Sequence, residues 1–460
     1  VHNLVAGAVG GRKETRETPL FSPHSLKNMK VSNIQHKDLR FHNNLFIGSF
    51  GLSNCYKMTE NLQATVNVYL AGAKPSTHES DPLLPEDFEP SMKLEEKSDG
   101  WWIEMSVNPD WRSQQRRAVV TTGMQAKPNI ILFISDDHGW LDSGAYGDPC
   151  VKTPNIDRVA EEGMRFTQAF AASPLCSPSR CVIQTGLMPH RNGGHKFGTP
   201  IRTDIKTMPE YLKELGYYTA HFGKFHHSPR HRFPYDLVKK SERQAADYLA
   251  NFDGAKPLFL VVCTHPPHTP WIKNTMYDLT RMPLPPNFID TAETRADRAN
   301  YYSDVTLMDS ILGDVLDAVA KKGMKDNTLL VYTSDQGANW PFAKWCVYDG
   351  GLRVPFIVRW PGKVAPATVT DAMASLVDIL PTCIDAAGGK MPENIDGRSL
   401  LPTLTGKQKT HRAVVFGTHT GNENGGPGIA NHCPARTVRT PTHRYILNLS
   451  PETTFTTHIT

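Results

Sequence analysis

Four apolar runs, each closed abruptly by polar residues, organise most of this chain. The segment 128–135 reads Pro-Asn-Ile-Ile-Leu-Phe-Ile-Ser and stops at Asp136 and Asp137. Similar runs occupy 217–222, 258–263 and 328–332. Unbroken apolar runs of this length predict central strands buried on both faces. Between them, apolar residues recur at helical spacing over 156–162, 208–215 and 301–322. Alternating strands and helices predict an α/β fold with a mostly parallel central sheet flanked by helices. Ligands of such sheets bind beyond the carboxyl ends of the strands, where the polar residues fall here.

Residues 1–125 follow another pattern. Short strand-like runs appear at 44–48 and 64–70, and residues 100–107 alternate like a half-buried strand. The Pro- and acid-rich stretch from 73 to 99 predicts a loop or linker. The divisions expected are therefore a β-rich segment over 1–125, a catalytic domain over 126–405 and the start of a further subdomain over 406–460. The chain begins with Val1 rather than Met and stops soon after a strand-like run at 444–449, as expected of an excised part of a longer product.

Composition removes several classes. The formal charge of +4 over 460 residues is small, and the basic residues are dispersed, so no nucleic-acid partner is expected. No run approaches the roughly 18 apolar residues of a membrane span, so no membrane partner is expected. Eight cysteines occur without a CxxC pair, which argues against a zinc ribbon or a thioredoxin-like site. Cys263, inside an apolar run, is expected to be a buried small hydrophobe.

The polar residues at the strand ends carry candidate chemistry. Asp136 and Asp137 are adjacent carboxylates that repel one another unless a cation lies nearby. Asp335 and the amide of Gln336 follow another strand and add hard oxygen donors, a set suited to Ca2+ and less to Mg2+. Cys176 opens the sequence Cys-Ser-Pro-Ser-Arg, in which Pro178 fits the first turn of a helix starting near Cys176. That helix would aim its positive end at a bound anion.

The Cys-x-Pro-Ser-Arg run from Cys176 to Arg180, with Gly186 after it, resembles the signature of formylglycine-dependent sulfatases of the alkaline phosphatase superfamily. Gly223-Lys224-Phe225-His226, the segment from His265 to His268, and Lys344 ahead of Tyr348-Asp349-Gly350-Gly351-Leu352-Arg353 resemble that family's further motifs, in family order over about residues 127–450. The resemblance implies that Cys176 is oxidised to formylglycine, whose hydrate attacks sulfur and then expels sulfate as the aldehyde reforms. It implies metal ligation by Asp136, Asp137, Asp335, Gln336 and the modified Cys176. Arg180 would hold the ionised hydrate, and Lys224 and Lys344 the sulfate oxygens. His268 would protonate the leaving alcohol, with His226 at the hydrate and His265 in support. Gln336 stands where Asn or His is more familiar, offering the same amide oxygen on a longer stem. The resemblance also implies a C-terminal subdomain, of which 436–447 would be the beginning and which is expected to be incomplete against the family.

The segments 190–195 and 226–230 resemble the N-sulfoglucosamine sulfohydrolase branch, with side chains suited to hydrogen-bonding sugar hydroxyls. The implied substrate is a sulfated sugar or polysaccharide carrying an O-sulfate or N-sulfate, a reading that the β-rich 1–125 segment suits as the tail of another glycan-active domain. A formylglycine-generating enzyme would be the partner in maturation, and a periplasmic or secreted location is expected. Two other readings stay open: a phosphonate or phosphodiester hydrolase of the same superfamily, and an inactive glycan-binding homologue. Oligomeric state is not legible.

Overall fold

The computed structural model describes residues 127–420 and 433–453, together with the backbone of eight short strands ahead of them. The chain divides into two compact units, Val1–Ala126 and Lys127–Thr460. In the first, Leu4–Ala6, Leu45–Ile47 and Val68–Leu70 form one parallel sheet, and Leu39–His42, Leu62–Thr65 and Glu79–Ser80 another. Ser91–Lys97 pairs antiparallel with Gly100–Ser106. Ser91–Lys97 and Glu79–Ser80 thus lie within the stretch expected to be a linker. The alternation of Met92 and Leu94 with charged residues is a strand signal masked by acid content.

The second unit is built on an eight-stranded sheet. Its strands are β1 (Asn129–Ser135), β2 (Met164–Phe166), β3 (Tyr218–Gly223), β4 (Leu237–Lys239), β5 (Leu258–Cys263), β6 (Thr328–Ser334), β7 (Phe356–Arg359) and β8 (Thr368–Thr370). They lie in the order β4-β3-β5-β1-β6-β7-β2-β8, and all neighbours are parallel except where β7 meets β6 and β2. The sheet is α/β and mostly parallel, as expected. The register sets Ser135 beside Ser334 and Ile134 beside Cys263, so β1, β5 and β6 end at one level. Residues 136–137, 264–268 and 335–336 therefore leave the sheet from adjacent strands.

Period two along β1 feeds two separate cores. Ile130, Leu132 and Ile134 pack with helices α2 (Cys176–Thr185), α3 (Met208–Glu214) and α7 (Ile379–Ala386). Ile131 and Phe133 pack on the opposite face with α1 (Pro154–Glu161), α4 (Gln244–Asn251) and α5 (Ala292–Lys321). Each apolar side chain so buried stabilises by roughly 1.5–3 kcal/mol. α5 starts nine residues before the apolar period that predicted it (301 − 292 = 9). Its polar first turns are specified instead by Thr291, whose side chain accepts from the Thr294 N–H. A short helix, α6 (Asp349–Leu352), precedes β7. A smaller antiparallel sheet of β9 (Val415–His419), β10 (Ala435–Arg439) and β11 (Arg444–Asn448) follows. It joins the catalytic unit through the Thr418 N–H, which donates to the Ala172 carbonyl at 2.8 Å.

Candidate active site

At the end of β1 the chain turns sharply, with Asp137 in the left-handed region at φ 63°. Aspartate tolerates that conformation better than most residues. Two bonds to the neighbouring strand hold it: the Asp137 N–H donates to Asp335 Oδ1 at 3.2 Å, and the His138 N–H to Ser334 Oγ at 2.9 Å. Asp136, Asp137, Asp335 and Gln336 are all fully buried. Gly337 is obligatory after them, because a Cβ there would meet the Gly350 carbonyl oxygen at 1.7 Å.

Cys176 is the first residue of α2 and is 2% exposed. One turn on, Arg180 is buried as well. Its Nε bonds Asp335 Oδ2 at 2.9 Å, one terminal nitrogen donates to the Lys224 carbonyl at 3.3 Å, and the other lies 3.7 Å from Asp136 Oδ1. Lys224 follows Gly223, whose φ of 87° and close approach to the Cys263 carbonyl admit no side chain; a Cβ would sit 1.9 Å from that oxygen. Lys224 Nζ pairs with Asp136, and Lys344 Nζ lies 2.6 Å from Asp137 Oδ2. The His268 ring meets the same Asp137 oxygen at 3.8 Å. All the sequence-predicted groups from Asp136 to Lys344 named so far converge on one rim.

The two other histidines differ. His226, at φ 35°, has a buried Nδ1 without a hydrogen bond, and its ring packs edge-on against Phe197 at 5.0 Å. Burial, with Lys224 and Arg180 beside it, pushes its pKa down to about 3, so it is neutral. His265 turns away: its Nδ1 bonds Glu242 at 3.0 Å and its side chain is 57% exposed. Glu242 carried no local sequence signal. Ser179, unassigned from its place in the signature, donates its hydroxyl to the Asp335 carbonyl.

The electrostatics follow from burial. Desolvation works to raise the Asp136 carboxyl, yet Lys224 and Arg180 hold it well below the usual carboxylate range. Asp335 is pushed up to about 7 by burial and by its two neighbouring aspartates, against the pull of Arg180. Burial pushes the Cys176 thiol up to about 11, although Lys224 and Lys344 oppose it. An unmodified thiol there stays protonated at neutral pH and is a poor nucleophile.

The arrangement fits a divalent cation. Asp136, Asp137 and His268 bring one donor atom each within 4.8 Å of one another. Asp136 Oδ1 and Gln336 Oε1 are buried without any hydrogen-bond donor, a costly state that a cation relieves. A terminal nitrogen of Arg180, likewise unbonded, is a donor waiting for an anion in the same place.

Comparison with known proteins gives consistent matches. A family profile described as "Sulfatase" matches residues 128–240 and 235–389, and one described as "N-sulphoglucosamine sulphohydrolase, C-terminal" matches 337–446. An ulvan-active sulfatase of Formosa agariphila is 33% identical over 347 residues, covering 72% of this chain and 68% of that protein. A solved structure of a protein in complex with its substrate D-glucosamine-2-N,6-O-disulfate aligns with TM-score 0.60 at 23% identity, over 72% of this chain and 90% of the other. A phosphonate monoester hydrolase from Silicibacter pomeroyi aligns with TM-score 0.59 at 21% identity, over 71% and 90%.

Proposed function

The chain belongs to the sulfatase family, and from that premise we propose that it desulfates sulfated carbohydrates through a formylglycine made from Cys176. The single observation that carries this reading is the convergence of Cys176, three buried aspartates and three buried or half-buried cations on one rim of the sheet. The relatives point the same way for substrate: one is named for ulvan, and one was solved with a glucosamine disulfate. The sugar carries its sulfate as an O-sulfate or N-sulfate.

Asp136, Asp137, Asp335 and Gln336 would hold Ca2+, with the modified Cys176 completing the set. When bound, such an ion polarises a sulfate oxygen and lowers the pKa of an oxygen nucleophile. Everything else is done by the chain. Residue 176, as a hydrated aldehyde, presents a hydroxyl to sulfur from the N-terminal end of α2, whose dipole favours negative charge. Its oxygen forms the new bond to sulfur as the bond to the sugar oxygen or nitrogen breaks. The second hydroxyl then gives up its proton, the carbonyl reforms and sulfate leaves with the bonding pair. Arg180 faces this group and stabilises its ionised form. Lys224 and Lys344, now paired with Asp136 and Asp137, turn to the sulfate oxygens as charge builds up. His268, beside Asp137, is placed to protonate the leaving group. His226, neutral and with one ring nitrogen free, assists loss of the hydrate proton. His265, expected in support, is turned outward by Glu242 and has no part in these steps.

This reading makes a formylglycine-generating enzyme the partner in maturation and sets the protein in the periplasm or outside the cell. Among the described residues no helix is long and apolar enough to cross a membrane. Mass spectrometry of the Cys176 peptide tests the chemistry: conversion lowers the mass by about 18 Da relative to the thiol. Protein from a maturation-competent host that retains the thiol, or a Cys176→Ala variant that desulfates as fast as the parent, overturns the proposal.

A further inference from the structure

Lys344 closes a loop whose other side chains have no part in the chemistry above. Residues 338–344 follow Gln336 and Gly337 and fold back, so that the Lys344 N–H donates to the Ala338 carbonyl at 3.0 Å. The loop is also tied to the segment that follows His268. Asn339 Nδ2 donates to Thr269 Oγ1 at 3.5 Å, and the Trp340 ring packs on Trp271 with centroids 4.7 Å apart. It therefore stands on the side of the site where His268 is placed to protonate the leaving group.

Between this loop, residues 139–149 and the proline-rich segment 283–288 lies a cavity of about 620 Å³. That is within the roughly 300–1,000 Å³ usual for small-molecule sites. Trp140, Phe288, Trp340, Phe342 and Tyr348 are among the residues lining it. Phe342 is 63% exposed, and its backbone sits at φ 62°, in the left-handed region that bulky side chains rarely adopt. Tyr348, 43% exposed, meets it edge-on with ring centroids 6.3 Å apart. An apolar ring held in water on a strained backbone is a double cost, and such outliers persist where function needs them.

The polar part of the lining narrows the occupant. Trp340 Nε1 is buried and finds no acceptor among the described residues, and Asn287 adds an amide. The ionised groups of the walls are already paired. Arg298 bonds Asp142 at 2.5 Å, and Arg444 bonds Asp349 at 2.8 Å. Asp148 accepts from the Tyr302 hydroxyl and from the Cys150 and Val151 N–H groups. A charged substituent would find no free counter-charge here, and burying it unpaired is costly. Aromatic faces with a few neutral hydrogen-bonding groups suit an uncharged ring that is apolar on one face and hydroxylated at its edge. A pyranose has that form.

We propose that this cavity binds an uncharged sugar residue of the leaving glycan, next to the one that loses its sulfate, with Phe342 and Tyr348 packing on its C–H face. The proposal rests on the reading of the substrate as a sulfated carbohydrate. It makes the enzyme selective for chains in which the sulfated sugar has a neutral neighbour.

Four substrates with the same scissile sulfate test it: the sulfated monosaccharide, its disaccharides with a neutral hexose or with a uronate, and its phenyl glycoside. The mature parent should favour the neutral disaccharide over the monosaccharide by about tenfold in kcat/KM, the size of one aromatic anchor. The uronate should bring no such gain, and added salt should leave the preference unchanged, since no charge is involved. In Phe342→Ala and in Tyr348→Ala the preference should fall to about twofold or less. Should Phe342→Ala fail to fold by circular dichroism, Tyr348→Ala decides. Calorimetry of the same four compounds on Cys176→Ala separates this idea from the reaction. If no sulfate is released but the neutral disaccharide still binds best, and Phe342→Ala or Tyr348→Ala abolishes that preference, the sugar site stands while the proposed reaction falls. A parent indifferent to the neutral neighbour in both rate and binding, an equal gain from the uronate, or variants that keep the preference overturns the site. A gain confined to the phenyl glycoside also overturns it, and makes the cavity one for apolar aglycones.

Discussion

Replacing Lys344 by alanine is the sharpest test of how the site is balanced. Lys344 and Asp137 are buried together, 2.6 Å apart, with side chains 5% and 0% exposed. Removing one member of a buried pair leaves an uncompensated charge and costs about 3–5 kcal/mol. For a unit of this size that is a drop in Tm of roughly 5–10 °C. Above about pH 7, where Asp335 too has lost its proton, Asp136, Asp137 and Asp335 sum to −3 and Arg180, Lys224 and Lys344 to +3, so the parent's inner residues are neutral in total. The variant is left at −1 and should attract a cation more strongly. In EDTA, Lys344→Ala should melt well below the parent. Added Ca2+ should raise its Tm by more than it raises the parent's, since binding to the folded state alone gives about 2.7 kcal/mol at 100 times Kd. Turnover should nevertheless fall by about 10²–10³, the usual loss on deleting one donor to a developing charge. Equal melting of variant and parent in EDTA, or a calcium shift no larger in the variant, would refute the reasoning. A parent indifferent to calcium would remove the metal from the account altogether.

Three further outcomes are expected. Gly223→Ala should displace Lys224, because its Cβ would lie 1.9 Å from the Cys263 carbonyl oxygen; kcat/KM should drop by about a hundredfold or more in whatever protein remains folded. Asp378, fully buried, gathers Arg412, His411 and the N–H groups of Ser375 and Arg398; Asp378→Ala should cost about 3–5 kcal/mol in denaturant unfolding. Burial lifts the Asp309 carboxyl to about 6, against the hydrogen bonds it accepts at the start of α1. The folded state therefore keeps that proton to higher pH than the unfolded chain. Its stabilisation is complete below about pH 4 and is lost as pH rises to 6, up to about 3 kcal/mol, and Asp309→Asn should flatten that slope in unfolding measured across the range.

The sheet was legible because β1, β5 and β6 are buried on both faces and so appear as unbroken apolar runs. Their ends were legible because ligands need polar residues there. β7, β2 and β8 were not, since strands of three or four residues carry too little periodicity. Within the site, the acids, Arg180 and the lysines stand beside strand or helix ends, where local sequence determines their position. His265 shows the limit: it follows a strand in the expected place, but Glu242, 23 residues earlier in the chain, turns its ring outward.

Charge also bears on which esters this site can accept. The inner residues sum to zero, and a bound divalent ion would add +2. In the proposed reaction a sulfate ester would bring −1 and the ionised, modified residue 176 another −1, so the complete reacting assembly would be neutral. A phosphodiester or phosphonate monoester is also a monoanion and meets the same balance. A phosphate monoester is different: with a second pKa near 6 it is close to a dianion at neutral pH. It would leave one uncompensated charge in a buried site, a penalty of several kcal/mol. With one aryl leaving group throughout, phosphodiester turnover should be detectable beside sulfate turnover, and phosphate monoester turnover at pH 8 should lie at least about a hundredfold lower. The gap should narrow as pH falls through about 6 and the phosphate takes up a proton. Hydrolysis of the phosphate monoester at the sulfate rate at pH 8 would mean that the aspartates and cations of this rim do not balance as their geometry implies.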